Sequence, residues 1–177
     1  MTNHTINVLL HDDKPNNENG YRNIATFNID VENVTDMTEI QVLETVYCNT
    51  QNAFSNWITD TKFNHVDEID SVSMQINDYN TKDAKTLKYV PAEKRVDGVE
   101  YYKFSRSTMI GDVFEMNGEY HMVADWGFVK LSEEVFEYLA TLTGRQVRDL
   151  DYIAEKNGGD MTDVAKLKKL LKRYYSE

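Results

Sequence analysis

Val113-Phe114-Glu115-Met116-Asn117-Gly118-Glu119-Tyr120-His121-Met122-Val123 reads as two short apolar-rich runs joined by Asn-Gly. Asparagine and glycine tolerate the positive φ that both central positions of a type I′ turn demand, and that turn matches the twist of paired strands. The stretch is therefore a β-hairpin, and Trp126-Gly127-Phe128-Val129 is expected to continue it as a further short strand. Just beyond, the chemistry turns helical. Ser132 suits an N-cap, Glu133 and Glu134 complement the positive end of a helix, and Leu131 can staple to Phe136. A hairpin giving way to a run of helices predicts an α+β fold.

Toward the C-terminus, Thr143-Gly144 is expected to end the first helix and Asn157-Gly158-Gly159 the second. A third starts at Asp160 or Thr162, with Val164, Leu167, Leu171 and Tyr174 as its apolar stripe. Its other face carries Lys166, Lys168, Lys169, Lys172 and Arg173. Toward the N-terminus, Thr5 to Leu10 and Tyr21 to Ile29 read as an antiparallel pair across a polar loop. Thr38 with Gln41 forms a capping box, and Ile40, Leu43, Val46 and Tyr47 share one helical face. Phe54 and Trp57 are expected to finish the core, and Val72 to Ile76 alternates as a strand. Leu87 to Val90 and Val99 to Phe104 flank Asp97-Gly98, a second hairpin signal. The expected architecture is a mixed, mostly antiparallel sheet with one inserted helix and a C-terminal group of about three helices. Residues 1–131 form the α+β domain, and 132–177 a helical region packed on it or mediating association.

Composition narrows the class. The chain has 177 residues, 41% of them hydrophobic and 11% aromatic, enough to build a core and too much for wholesale disorder. Its one cysteine, Cys48, cannot form an internal bridge and is expected to be a small buried hydrophobe. Met1-Thr2-Asn3-His4 lacks the basic and apolar regions of a signal peptide, and no run approaches the roughly 18–20 apolar residues of a membrane span. A cytoplasmic protein without membrane contact is expected.

The net charge of −11 is unevenly spread. Residues 1–81 hold thirteen acidic groups against Lys14, Arg22 and Lys62, whereas residues 132–177 hold nine acidic and eight basic. Such a first half repels nucleic acid and attracts basic protein surfaces. The basic face of the last helix is the alternative, a nucleic-acid contact made by Lys166, Lys168, Lys169, Lys172 and Arg173. Direct nucleic-acid binding runs against the overall charge. A homodimer is the association that the Leu167, Leu171, Tyr174 stripe allows.

Motifs for chemistry are sparse. His11-Asp12-Asp13 offers oxygen and imidazole donors, yet it lacks recognisable further ligands and sits where Asp is a turn former. Nucleophile elbows and phosphate-cradling glycine loops are missing from the sequence. No catalytic residue, metal or cofactor is expected, although a pair of carboxylates brought together by the fold would escape a reading of spacing.

Phe104 to Phe128 resembles a module of small phage and mobile-element proteins, including YodL-like domains. The matching positions are Ser105, Ser107, Gly111, Asp112, Asn117, Gly118, Tyr120, Gly127 and Phe128. Thr50-Gln51-Asn52 and Trp57 look similar to the helix end that precedes this module. The resemblance covers about a third of the chain and leaves the C-terminal helices unmatched. It implies origin rather than activity. A small, acidic, cofactor-free protein of such origin is expected to be an accessory protein that binds and inhibits or modulates a host protein. A defence nuclease or other nucleic-acid-processing enzyme fits the charge, with Asp12, Asp13, Glu18, Asp30, Glu32, Asp36, Glu39 and Glu44 imitating backbone phosphates in a basic groove.

Overall fold

Asn117 and Gly118 have φ of 53° and 83°, the paired positive values of a type I′ turn. They join β6 (Val113–Met116) to β7 (Glu119–Val123), with Val113 opposite Met122 and Met116 opposite Glu119. The computed structural model describes residues 2–11, 20–31, 38–51, 57, 69–77, 94–96, 99–101, 106–158 and 160–176. Within these lie β1 (Thr2–His11), β2 (Tyr21–Val31), α1 (Thr38–Asn49) and β3 (Ile69–Ile76). They are followed by β4 (Lys94–Val96), β5 (Val99–Tyr101), the hairpin, β8 (Phe128–Leu131), α2 (Glu133–Ala140), α3 (Gly144–Lys156) and α4 (Val164–Tyr174). Six strands form one sheet in the order β3-β2-β1-β6-β7-β8, and β4 pairs with β5. The β2–β3, β6–β7 and β7–β8 pairings are all antiparallel. The fold is α+β, with the inserted helix and the C-terminal helical group in place.

The chain divides into two compact units, one of residues 1–6 and 24–108, the other of residues 7–23 and 109–177. The boundary expected at 131/132 lies inside the second unit, between β8 and α2.

In the first unit the buried side chains include Ile6, Ile24, Phe27, Ile29, Val42, Leu43, Val46 and Trp57. The alternation of β2 puts Phe27, Ile29 and Val31 on one side, as a period of two requires. Trp57 is core, as expected, and its indole N–H donates to the Arg106 carbonyl at 3.2 Å. Thr50 and Thr108 share a buried hydroxyl contact of 2.6 Å, and the Gln51 amide donates to the Thr108 hydroxyl at 2.9 Å. Two expectations for α1 need correction. Ile40 is 60% exposed, and Cys48 is exposed rather than buried. Cys48 stands one turn after exposed Glu44, on the solvent stripe left by buried Val42, Leu43, Thr45, Val46 and Asn49. β4 pairs antiparallel with β5, with Val96 opposite Val99, while Asp97 and Gly98 lie outside the described residues. Phe54 and Leu87 to Val90 lie outside the described residues.

In the second unit one core joins Tyr21, Val113, Met122, Leu131, Val135, Leu139, Val147, Leu150, Leu167 and Leu171. Each aliphatic side chain buried in this way contributes roughly 1.5–3 kcal/mol of transfer energy before entropy is counted. Leu167 and Leu171 are therefore occupied within their own unit, and of the α4 stripe only Tyr174 is left substantially exposed, with Val164 half-buried. Ser132 caps α2 by accepting from the Val135 amide at 3.3 Å. Thr143-Gly144 proves to open a helix rather than close one. The Thr143 hydroxyl accepts from the Gln146 amide at 3.2 Å while the Gln146 side chain accepts from the Thr143 amide at 2.9 Å, a complete capping box. Asp163 caps α4 by accepting from the amides of Ala165 and Lys166.

Candidate binding site

The turn from β7 into β8 breaks the pattern of its neighbours. The strand expected from Trp126 begins two residues later, at Phe128, so Trp126 and Gly127 belong to the turn itself. The Ala124 amide donates to the Gly127 carbonyl at 3.1 Å, and Gly127 has φ +68°. A Cβ there would meet nothing, so glycine is needed for the backbone angle rather than for space. This geometry turns the Trp126 indole outward, 84% exposed. A tryptophan held in water by a tight turn buries little of its ring, and beside a cavity it is a candidate anchor for a partner.

Trp126 also lines a cavity of about 100 Å³. Val129, Ala154 and Met161 give it apolar walls, and Asp125, Asp151 and Glu155 supply three carboxylates. Helix spacing brings the α3 residues together, since Asp151, Ala154 and Glu155 fall three and four positions apart. Asp151 is buried and accepts from the Asp125 amide at 3.2 Å. Burial pushes its carboxyl above the ordinary carboxylate range, and the neighbouring charges of Asp125 and Glu155 push the same way against that hydrogen bond. A cation entering the cavity would relieve this burden.

A second polar cluster in this unit is architectural. Asp112, fully buried, accepts from the His11 amide at 2.9 Å and the Met109 amide at 2.8 Å. Tyr21 donates its hydroxyl to the Gly111 carbonyl at 3.0 Å, and burial followed by the Asp112 charge drives its ionisation far above the usual range. The His11 ring nitrogen Nε2 stands 3.1 Å from the Leu139 carbonyl, which requires it to donate. Tyr21 thus stays protonated, and His11 spends one ring nitrogen inside the core. Within this unit, and among the described residues, no three His, Cys, Asp or Glu donors converge closely enough to hold a metal ion.

The residues singled out from sequence fare unevenly. Asp12, Asp13, Glu18, Glu32 and Asp36 lie outside the described residues. Asp30 is half-buried and ties strands together, accepting from the Asn3 amide group at 2.7 Å and the Ser71 hydroxyl at 2.8 Å, and these bonds lower its pKa. Glu39 and Glu44 are exposed on α1. On α4, Lys166 pairs with Asp160 at 2.9 Å and the Lys168 ammonium sits 5.2 Å from the Tyr138 ring centroid, whereas Lys169 and Lys172 are exposed. Arg173 lines a cleft between α3 and α4. The Asp125-Trp126-Gly127 corner was missed because Trp126 reads as strand. The available signal was glycine directly after tryptophan, where a tight turn competes with strand continuation.

No family model matches the chain, and neither does any curated protein or any solved structure. Among the described residues, no helix is long and apolar enough to cross a membrane.

Proposed function

We propose that this chain is a binding protein that docks on a basic surface of a partner protein. The observation that carries the reading is Trp126, 84% exposed beside a cavity lined by the apolar Val129, Ala154 and Met161 and the acidic Asp125, Asp151 and Glu155. Lysine and arginine have aliphatic stems and cationic heads, so their stems match Val129, Ala154 and Met161 while the heads meet carboxylates and the indole face. Glu39 and Glu44 offer the same charge chemistry on α1. In the phage or mobile-element setting implied by the Phe104–Phe128 resemblance, the partner is a host protein. Nucleic-acid-processing enzymes expose the required lysines and arginines to hold phosphates, and occupying them would inhibit or modulate the enzyme.

The test is a titration of the full chain with labelled peptides rich in lysine or arginine, and with glutamine-rich peptides of equal length. Basic peptides should bind, and glutamine peptides should not. Trp126→Ala should weaken binding about thirtyfold, as expected for an anchoring tryptophan worth roughly 2 kcal/mol. Asp125→Asn with Glu155→Gln should weaken it at least tenfold. Equal affinity of Trp126→Ala and the parent would reduce the attraction to diffuse charge and overturn the site.

A further inference from the structure

The cleft between α3 and α4 differs in charge from the acidic Trp126 corner. It is lined by Tyr152, Ile153, Lys156 and Asn157 from the end of α3 and by Leu170, Arg173 and Tyr174 from α4. None of these seven is acidic, in a protein of net charge −11. Its volume of about 470 Å³ falls within the roughly 300–1,000 Å³ of small-molecule sites. Tyr152 and Tyr174 are 49% and 45% exposed, beside the aliphatic Ile153 and Leu170. The Lys156 ammonium stands 4.1 Å from the Tyr152 ring centroid and meets its hydroxyl. The Asn157 side-chain nitrogen donates to the Ile153 carbonyl at 2.7 Å, which fixes the amide at the cleft wall.

We infer that this cleft binds a nucleobase bearing a phosphate. Flat aromatic faces beside aliphatic walls suit a planar heterocycle, because any base can stack on tyrosine. Lys156 and Arg173 then supply charge for the phosphate, and the planar guanidinium can engage two phosphate oxygens at once. A polar ring with an attached anion matches both the aromatic and the basic parts of the lining, whereas an apolar ligand matches only the first and inorganic phosphate only the second. Net charge decides the preferred source. A chain of −11 opposes a long polyanion, so a free mononucleotide is the better occupant, and the end of a single strand offers the same chemistry. The inference is independent of the Trp126 corner, which shares no residue with this cleft.

Isothermal titration of the full chain with adenosine, guanosine, cytidine and uridine monophosphates, inorganic phosphate and an eight-nucleotide deoxyadenosine strand tests it. At least one mononucleotide should bind below millimolar and at least tenfold tighter than inorganic phosphate. Arg173→Ala and Tyr152→Leu should each weaken that binding tenfold or more, with an unchanged circular dichroism spectrum showing that the fold persists. Strand and mononucleotide affinities within threefold of each other assign the free nucleotide, and a tenfold gain for the strand assigns a strand end. Either supports the cleft. Absence of binding by any nucleotide at millimolar concentration, parity with inorganic phosphate, or affinity unaltered in both variants would overturn it.

Discussion

Asp112 shows how one buried carboxylate can fasten two stretches of backbone. It meets the His11 and Met109 amides with its two oxygens, so it fixes the end of β1 and the approach to β6 together. Its charge is tolerated because charge-assisted bonds to backbone amides replace water. Replacing it with alanine strands two amides inside the protein. Asp112→Ala should therefore lower unfolding free energy by about 3 kcal/mol, the cost expected for leaving buried donors unmet. Asp112→Asn keeps one acceptor oxygen but turns an NH₂ toward the other amide, so its urea midpoint should fall between those of parent and alanine variant. Equal midpoints for Asp112→Asn and the parent would show that charge contributes nothing to this cap.

At the scale of elements, the β6–β7 hairpin depends on its turn. Gly118 has φ +83° and open space where a Cβ would stand, so Gly118→Ala introduces backbone strain without a clash. Its cost should be about 1 kcal/mol in urea denaturation, and a loss of several kcal/mol would reveal contacts beyond the turn. This hairpin was legible in the sequence because Asn-Gly between apolar runs is a local signal with a local cause. So were the Ser132 cap and the strand alternation around Phe27 and Ile29. The misreadings share a different cause. Thr143-Gly144 carries both a helix stop and a helix start, and only the Gln146 side chain closing its capping box decides between them. Ile40 and Cys48 have core-like chemistry, but the buried stripe of α1 is set by Val42, Val46 and Asn49, which leaves both outside it. The Trp126 corner was illegible for the same reason. Its carboxylates at 125, 151 and 155 converge only once β7, β8 and α3 are assembled, and spacing along the chain cannot show that.

For the whole molecule, net charge hides opposed contributions to stability. Asp30 and Asp160 are held below the ordinary carboxylate range, Asp30 mainly by Asn3 and Asp160 mainly by the Thr162 hydroxyl and Lys166. Groups of this kind favour the fold at neutral pH and cease to as acid protonates them, weakly where water screens them. Asp151 works the other way. Burial raises its folded pKa above the unfolded value near 3.9, so below that value both states are protonated and it contributes nothing. As pH rises from that value through the folded pKa, the unfolded chain ionises more readily than the buried native carboxyl, and stability is lost. Asparagine keeps the acceptor for the Asp125 amide and removes the charge. Urea denaturation at pH 3.5 and pH 7 should therefore show Asp151→Asn gaining on the parent as pH rises, and a constant difference would mean that the burial is not felt. With a basic peptide bound the sign reverses, because the ammonium or guanidinium compensates the same charge and parent affinity should fall as acid protonates Asp151. On the proposed reading, Asp151 weakens the free protein and strengthens its complex, a trade of stability against binding.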